Sequence, residues 1–147
     1  NGERVVAADG FFLGTYTTLL APGEIMTQIR IPISPAGSAG CYAKLKRKIG
    51  DFATAAAAVM LRMKTESVDD LRIALTNVAT TPIRANAAEA YLRGKKLDDA
   101  TIKEAARLAM SICDPVSDQR GDAAYRIAMA GEMTQRALRT AYSRITR

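Results

Sequence analysis

The sequence predicts an α+β fold: an antiparallel three- to four-stranded sheet followed by three helices packed on one face. Two observations predict it. Segments that alternate apolar and polar residues come early, and segments with apolar residues at helical spacing come only after residue 84. Strands first and helices afterwards give an α+β sandwich rather than alternating βαβ units.

The elements follow in order. Residues 3–8 read as a short strand, and Asp9-Gly10-Phe11-Phe12 as a turn that brings two aromatics inward. Thr15 to Leu20 is apolar and Thr-rich, and Pro22-Gly23 breaks it. Residues 24–31 set Ile25, Thr27, Ile29 and Ile31 against Met26, Gln28 and Arg30, a period of two that predicts a strand with one apolar face. Residues 34–40 are small and flexible and read as a linker at a domain boundary.

Residues 41–48 alternate again, with Tyr42 and Lys44 on one side. Residues 53–64 admit two readings. Their alanines favour helix, yet Thr54, Ala56, Ala58 and Met60 also fit a strand of small residues packed under helices. Residues 70–78 alternate cleanly as a strand.

Arg84 to Arg93 predicts a short helix closed by Gly94. Asp98 and Asp99 suit the start of the next helix, whose buried face is Ile102, Ala105, Ala106, Ala109 and Ile112, and Pro115 stops it. Ser117-Asp118 offers an N-cap for the last and longest helix. Ala124, Ile127, Ala128, Gly131, Leu138, Ala141 and Ile145 trace its expected buried stripe.

Composition excludes several functions. The 147 residues carry a net charge of +6, but the basic residues are spread along the chain and aromatics make up only 5%, so no nucleic-acid interface is expected. Two cysteines, Cys41 and Cys113, lie far apart and histidine is absent, which removes zinc and iron–sulfur motifs and His-based nucleophile systems. Both read as buried or half-buried thiols without a disulfide. No apolar run approaches the roughly 18 residues of a membrane span. The chain opens on Asn1-Gly2, and Glu3 to Asp9 look like the inside of a domain, so a piece of a longer protein is expected.

The motifs then resemble one family. Asp9-Gly10-Phe11-Phe12, Thr18-Leu19-Leu20 and Glu24 to Pro32 resemble the end of the second flavin-binding domain of the FAD-binding medium subunit of molybdenum hydroxylases, the group of carbon monoxide dehydrogenase and xanthine dehydrogenase. Tyr42-x-Lys44 through Gly50-Asp51-Phe52-Ala53 resembles the start of its C-terminal domain. Val78-Ala79-x-x-Pro82-x-Arg84-Ala85, Leu92-x-Gly94 and Asp118-x-Arg120-Gly121-x-x-x-Tyr125-Arg126 continue the likeness, and the Gly-Asp-Phe-Ala form looks closer to the carbon monoxide dehydrogenase branch.

The resemblance implies residues 1–35 as the C-terminal remnant of a second FAD-binding domain and 41–147 as the C-terminal domain. It also favours strand over helix for 53–64, which completes a meander of 41–48, 53–64 and 70–78. It implies a cytoplasmic oxidoreductase subunit that passes electrons from iron–sulfur clusters on a partner through FAD to an external acceptor. Molybdopterin and the [2Fe–2S] clusters would sit on the large and small partner subunits. The glycine-rich loops that hold the FAD pyrophosphate would lie in the N-terminal half of the subunit, because no such loop occurs in this chain.

The same resemblance places Lys44 near the flavin ring, where a cation can stabilise the anionic reduced form. It places Met26, with Ile25 as the neighbour one register away, against the isoalloxazine, and gives Tyr42 a stacking role. No residue is expected to be catalytic and none to bind metal. Asp51 is expected to pin the turn after Gly50. Asp118, Arg120, Tyr125 and Arg126 are expected to form a hydrogen-bonding cluster at a helix start, and Lys46, Arg47 and Lys48 to face solvent. The competing expectation is a flavin-free interaction domain of the same fold.

Overall fold

The computed structural model describes residues 2–146. The chain divides into two compact units, Asn1–Ile33 and Ser34–Arg147.

In the first unit, β1 (Phe12–Gly14) and β2 (Thr17–Thr18) form a small antiparallel hairpin. Tyr16 turns it with a positive φ of 56°. Arg4 ties the unit together: its guanidinium donates to both Glu24 carboxylate oxygens at 2.8 and 2.6 Å and to the Leu19 carbonyl at 2.9 Å. That pairing holds the Glu24 carboxyl down at about 2. The strands expected at 3–8 and 24–31 do not form. A period of two marks which side chains would share a face, but a strand also needs a ladder partner, and neither segment has one among the described residues. Phe12 is exposed rather than turned inward, with Phe11 edge-on to it at 5.2 Å.

The second unit carries a four-stranded antiparallel sheet in the order β3-β4-β5-β6. Its strands are β3 (Ser38–Leu45), β4 (Ala55–Lys64), β5 (Ser67–Thr76) and β6 (Ile83–Arg84). Residues 38–40 belong to β3, so the expected linker is shorter than its small residues suggested.

The alanine-rich segment is strand β4, not helix. Ala55 and Ala57 are fully buried with Val59 and Leu61 on the face that meets the helices. Small side chains there let a helix approach closely, and that packing outweighs the helical preference of alanine.

Three helices cover this one face: α1 (Asn86–Leu92), α2 (Asp99–Met110) and α3 (Ala123–Ile145). Helix α3 lies on β3 and β4, α1 lies on β5, and α2 packs between α1 and α3. Leu71, Ile73 and Leu75 of β5 join Leu92, Ile102, Ala105, Ala109, Ala137 and Leu138 in one core.

Capping explains the helix starts. Asp98 and Thr101 form a reciprocal capping box at α2. Helix α2 ends at Met110, so Ile112 lies beyond it and is partly exposed. The cap of α3 is Asp122, whose carboxylate accepts from the Tyr125 N–H at 2.7 Å, not the expected Ser117-Asp118. A cap must immediately precede the first helical residue in extended conformation, and Asp122 (φ −71°, ψ 167°) does so. Ser117 still helps, accepting from the Ala123 N–H at 2.9 Å.

The buried stripe of α3 is Arg126, Ala130, Gly131, Met133, Thr134, Ala137, Leu138 and Ala141. Of the expected stripe, Ala124 and Ala128 are exposed instead. The helix turns Arg126 inward because its guanidinium has partners there. At the other end of α3, Arg144 donates to the Gly40 carbonyl on β3. Both cysteines are free; Cys113 donates to the Ala109 carbonyl at 3.4 Å, and burial pushes its thiol up to about 11.

Candidate functional site

The face of the sheet opposite the helices is where the sequence-predicted residues of the second unit meet. Side chains alternate along a strand. Cys41, Ala43 and Leu45 therefore point into the core, and Tyr42 and Lys44 share the other face, their Cα atoms about 7 Å apart along the strand. The register sets Lys44 opposite Ala56 and then Thr76, and Tyr42 opposite Ala58, Ala74 and Arg84. Of the short side chains in these rows Ala56 is fully buried, Ala58 half-buried and Ala74 exposed, and Tyr42 and Lys44 stand at their β3 edge.

Tyr42 is 58% exposed, and Lys44 is exposed and makes no hydrogen bond or ion pair among the described residues. Met60 lies over Gly40, where an added Cβ would come within 3.0 Å of its sulfur. An amphipathic ring and an unpaired ammonium beside a flat, small-residue surface suit a planar ligand with an anionic edge.

Beyond Lys44 the strand ends in a loop, residues 46–54. The Thr54 N–H closes its neck on the Leu45 carbonyl at 2.8 Å. Gly50 (φ +83°) turns it, with the Asp51 N–H on the Lys48 carbonyl at 3.2 Å. Asp51 is nearly buried. One carboxylate oxygen accepts from the Phe52 N–H at 2.9 Å and from the Arg120 guanidinium at 3.2 Å, and Arg47 lies 3.5 Å from the other. The bond from Arg120, ahead of the charge of Arg47, holds the Asp51 carboxyl below the usual carboxylate value. Lys46 and Lys48 are exposed, whereas Arg47 is paired with Asp51.

The expected cluster at the start of α3 is present in part. Asp118 accepts from the Arg120 N–H at 2.7 Å and pairs with Arg126, whose guanidinium also donates to the Asn77 carbonyl at 3.2 Å. Those bonds, the Arg120 N–H first, lower the Asp118 carboxyl. Tyr125 bonds Asp122 through its backbone N–H, and its ring lies against Gly121.

Ile25 and Met26 belong to the first unit. They lie in the extended stretch after Glu24, and both are exposed, at 80% and 57%.

Sequence reasoning missed two residues that brace the sheet. Glu89 on α1 is nearly buried, accepts the Ile73 N–H at 2.8 Å and takes a two-pronged pair from Arg84 at 2.9 and 2.8 Å. Asn77 (φ +64°) donates to the Ala53 carbonyl at 2.8 Å and joins the end of β5 to the loop neck. The only signal for Glu89 is a lone acid in an alanine-rich helix start, five residues after Arg84. Among the described residues no group of His, Cys, Asp or Glu could hold a metal ion, and no helix is long and apolar enough to cross a membrane.

Residues 40–141 match the family model of the CO dehydrogenase flavoprotein C-terminal domain. The chain is 50% identical over 144 residues to the carbon monoxide dehydrogenase medium chain of Hydrogenophaga pseudoflava, covering 98% of this chain and 50% of that one. It is 49% identical over 143 residues to the medium chain from Afipia carboxidovorans, covering 97% and 50%.

The solved carbon monoxide dehydrogenase from Hydrogenophaga pseudoflava, in a form lacking the Mo-pyranopterin moiety of its molybdenum cofactor, superposes with a TM-score of 0.94 at 54% identity, over 96% of this chain and 49% of that one. The quinoline 2-oxidoreductase of Pseudomonas putida 86 superposes with a TM-score of 0.90 at 33% identity, over 98% and 50%. The chain thus spans about half the length of the relatives it matches. By the match over most of its length and by these identities, the chain belongs to the CO dehydrogenase flavoprotein C-terminal domain family.

Proposed function

We propose that this chain is part of the FAD-binding subunit of a molybdenum hydroxylase and helps pass electrons from iron–sulfur clusters on a partner subunit through FAD to an external acceptor. The observation that carries the reading is the unpaired Lys44 ammonium next to Tyr42 on the alanine-floored face. Those residues fit FAD: the floor admits a flat ring, Tyr42 can cover part of it, and Lys44 offers a cation to its electron-rich edge. Bound FAD would supply the redox chemistry. The chain's own residues would orient the ring and bias its potential.

Met26 and Ile25, in the first unit, keep in this reading the flavin-contact role that the resemblance implies. Residues 1–35 are the end of the second FAD-binding domain and 41–147 the C-terminal domain. The phosphate-holding loops come from the N-terminal half of the subunit. Molybdopterin and the [2Fe–2S] clusters sit on the large and small partner subunits, and the complex works in the cytoplasm. The half-length coverage of the relatives and the family match over 40–141 support this division.

The test is the flavin content of the purified protein with its partner chains: denature it and quantify released FAD per chain. Near-stoichiometric FAD supports the reading; none, with the partner chains present, leaves a flavin-free interaction domain. Lys44→Ala in the full complex then lowers the flavin reduction potential and slows electron delivery to the acceptor. An unchanged potential removes Lys44 from the site.

A further inference from the structure

We propose that Arg120 is a positioning residue for the flavin end of β3: by clasping Asp51 it fixes the loop 46–54, and with it the cations Lys46, Arg47 and Lys48, beside Lys44. The inference rests on the flavin reading above.

Burial holds only the neck of this loop, where Ala53 and Thr54 are buried. At the turn the large apolar side chains point outward, with Ile49 93% and Phe52 75% exposed. What holds it is polar. The Asp51 side chain is only 9% exposed and anchors the turn, bonded to Arg120 from 69 residues away. Arg120 is itself held, its N–H on the Asp118 carboxylate at 2.7 Å and its guanidinium 3.9 Å from the other Asp118 oxygen. Its guanidinium carbon also lies 5.8 Å from the centre of the Phe52 ring.

The neck is tied separately. Thr54 bonds Leu45, and Asn77 bonds Ala53 and is in turn bonded by Arg126. Loss of Arg120 therefore frees the turn and leaves the neck and the sheet in place. Three basic residues crowd within five positions of Lys44, and their field at the ring depends on where the turn sits. A loosened turn averages that field toward solvent and weakens the stabilisation of negative charge on the ring.

The experiment uses Arg120→Gln and Arg120→Lys in the complete flavin subunit within its complex. Three measurements are made: FAD per chain, amide hydrogen exchange of peptides spanning 46–53, and the flavin midpoint potential. The expected result is full FAD content, exchange in the loop faster by about tenfold with the rest of the sheet unchanged, and a lowered potential in Arg120→Gln that Arg120→Lys partly restores. Faster loop exchange with an unchanged potential overturns the inference, as does unchanged loop exchange. Where Arg120→Gln fails to assemble, Asp51→Asn serves: it keeps an acceptor for the Phe52 N–H and removes the charge Arg120 clasps. Wild-type complex without FAD overturns the flavin reading and this inference together; wild-type complex with FAD and a variant of unaltered potential overturns this inference alone.

Discussion

Replacing Glu89 by Ala removes the carboxylate that holds the edge of the sheet under helix α1. The carboxylate is the acceptor for the Ile73 N–H, and Ile73 is fully buried, so that donor is left without a partner in a place water does not reach. An orphaned buried donor costs about 1–3 kcal/mol. The two-pronged pair with Arg84 is also lost, but the Arg84 side chain is 34% exposed and regains water, which limits that part to about 0–1 kcal/mol. One buried methylene adds about 0.8 kcal/mol, the β-carbon staying as the alanine methyl, and the better helix propensity of alanine returns a few tenths.

The sum is about 3 kcal/mol against a typical domain stability of about 5–15 kcal/mol. It corresponds to a drop in Tm of roughly 10–15 °C. Glu89→Gln keeps an oxygen for Ile73 and costs about 1 kcal/mol. The assay is urea unfolding followed by circular dichroism, with the slope m checked for constancy. The reasoning is refuted if Glu89→Ala lies within about 0.5 kcal/mol of the parent, or if it is no worse than Glu89→Gln.

Two further outcomes follow from the same structure. Asp51 and Asp118 are both held below the ordinary carboxylate value by bonds that centre on Arg120 and Arg126; the stability they contribute is present above about pH 4 and is lost as pH falls through their depressed values. Asp51→Asn should therefore flatten the acid limb of a stability–pH curve, and an unchanged limb would count against the clasp. The Cys113 thiol, raised to about 11, should be alkylated slowly by iodoacetamide at pH 8 and rapidly after denaturation, as read by mass spectrometry of its peptide; equally rapid native labelling would refute its protection by burial.

The strands on either side of β4, the three helices and the pairing of Tyr42 with Lys44 on one face were legible because alternation and helical spacing report burial directly. The alanines of β4 were ambiguous for a physical reason: a small residue satisfies both a helix and a sheet packed closely under one, and only the neighbouring strands decide. Residues 24–31 show the converse, an alternating pattern with no ladder to join. The stripe of α3 was misjudged at its start because an arginine was not counted as an inward residue, whereas Arg126 turns in to meet Asp118 and Asn77. Glu89 and Asn77 were invisible, since their work is to satisfy backbone groups whose positions exist only in the folded chain. The Asp51–Arg120 pair spans 69 residues, and no local pattern announces such a contact.

Arg144 gives the C-terminal turn of α3 a task unrelated to flavin chemistry. Strand β3 has one ladder neighbour among the described residues, so its outer side presents backbone groups that a strand from another molecule could pair with. The guanidinium that caps the Gly40 carbonyl occupies that side near its middle. Fraying of the last helical turn would uncover it, and a chain whose fold was otherwise intact would then be open to edge-to-edge association, which makes those final residues a guard on solubility as well as the end of a helix.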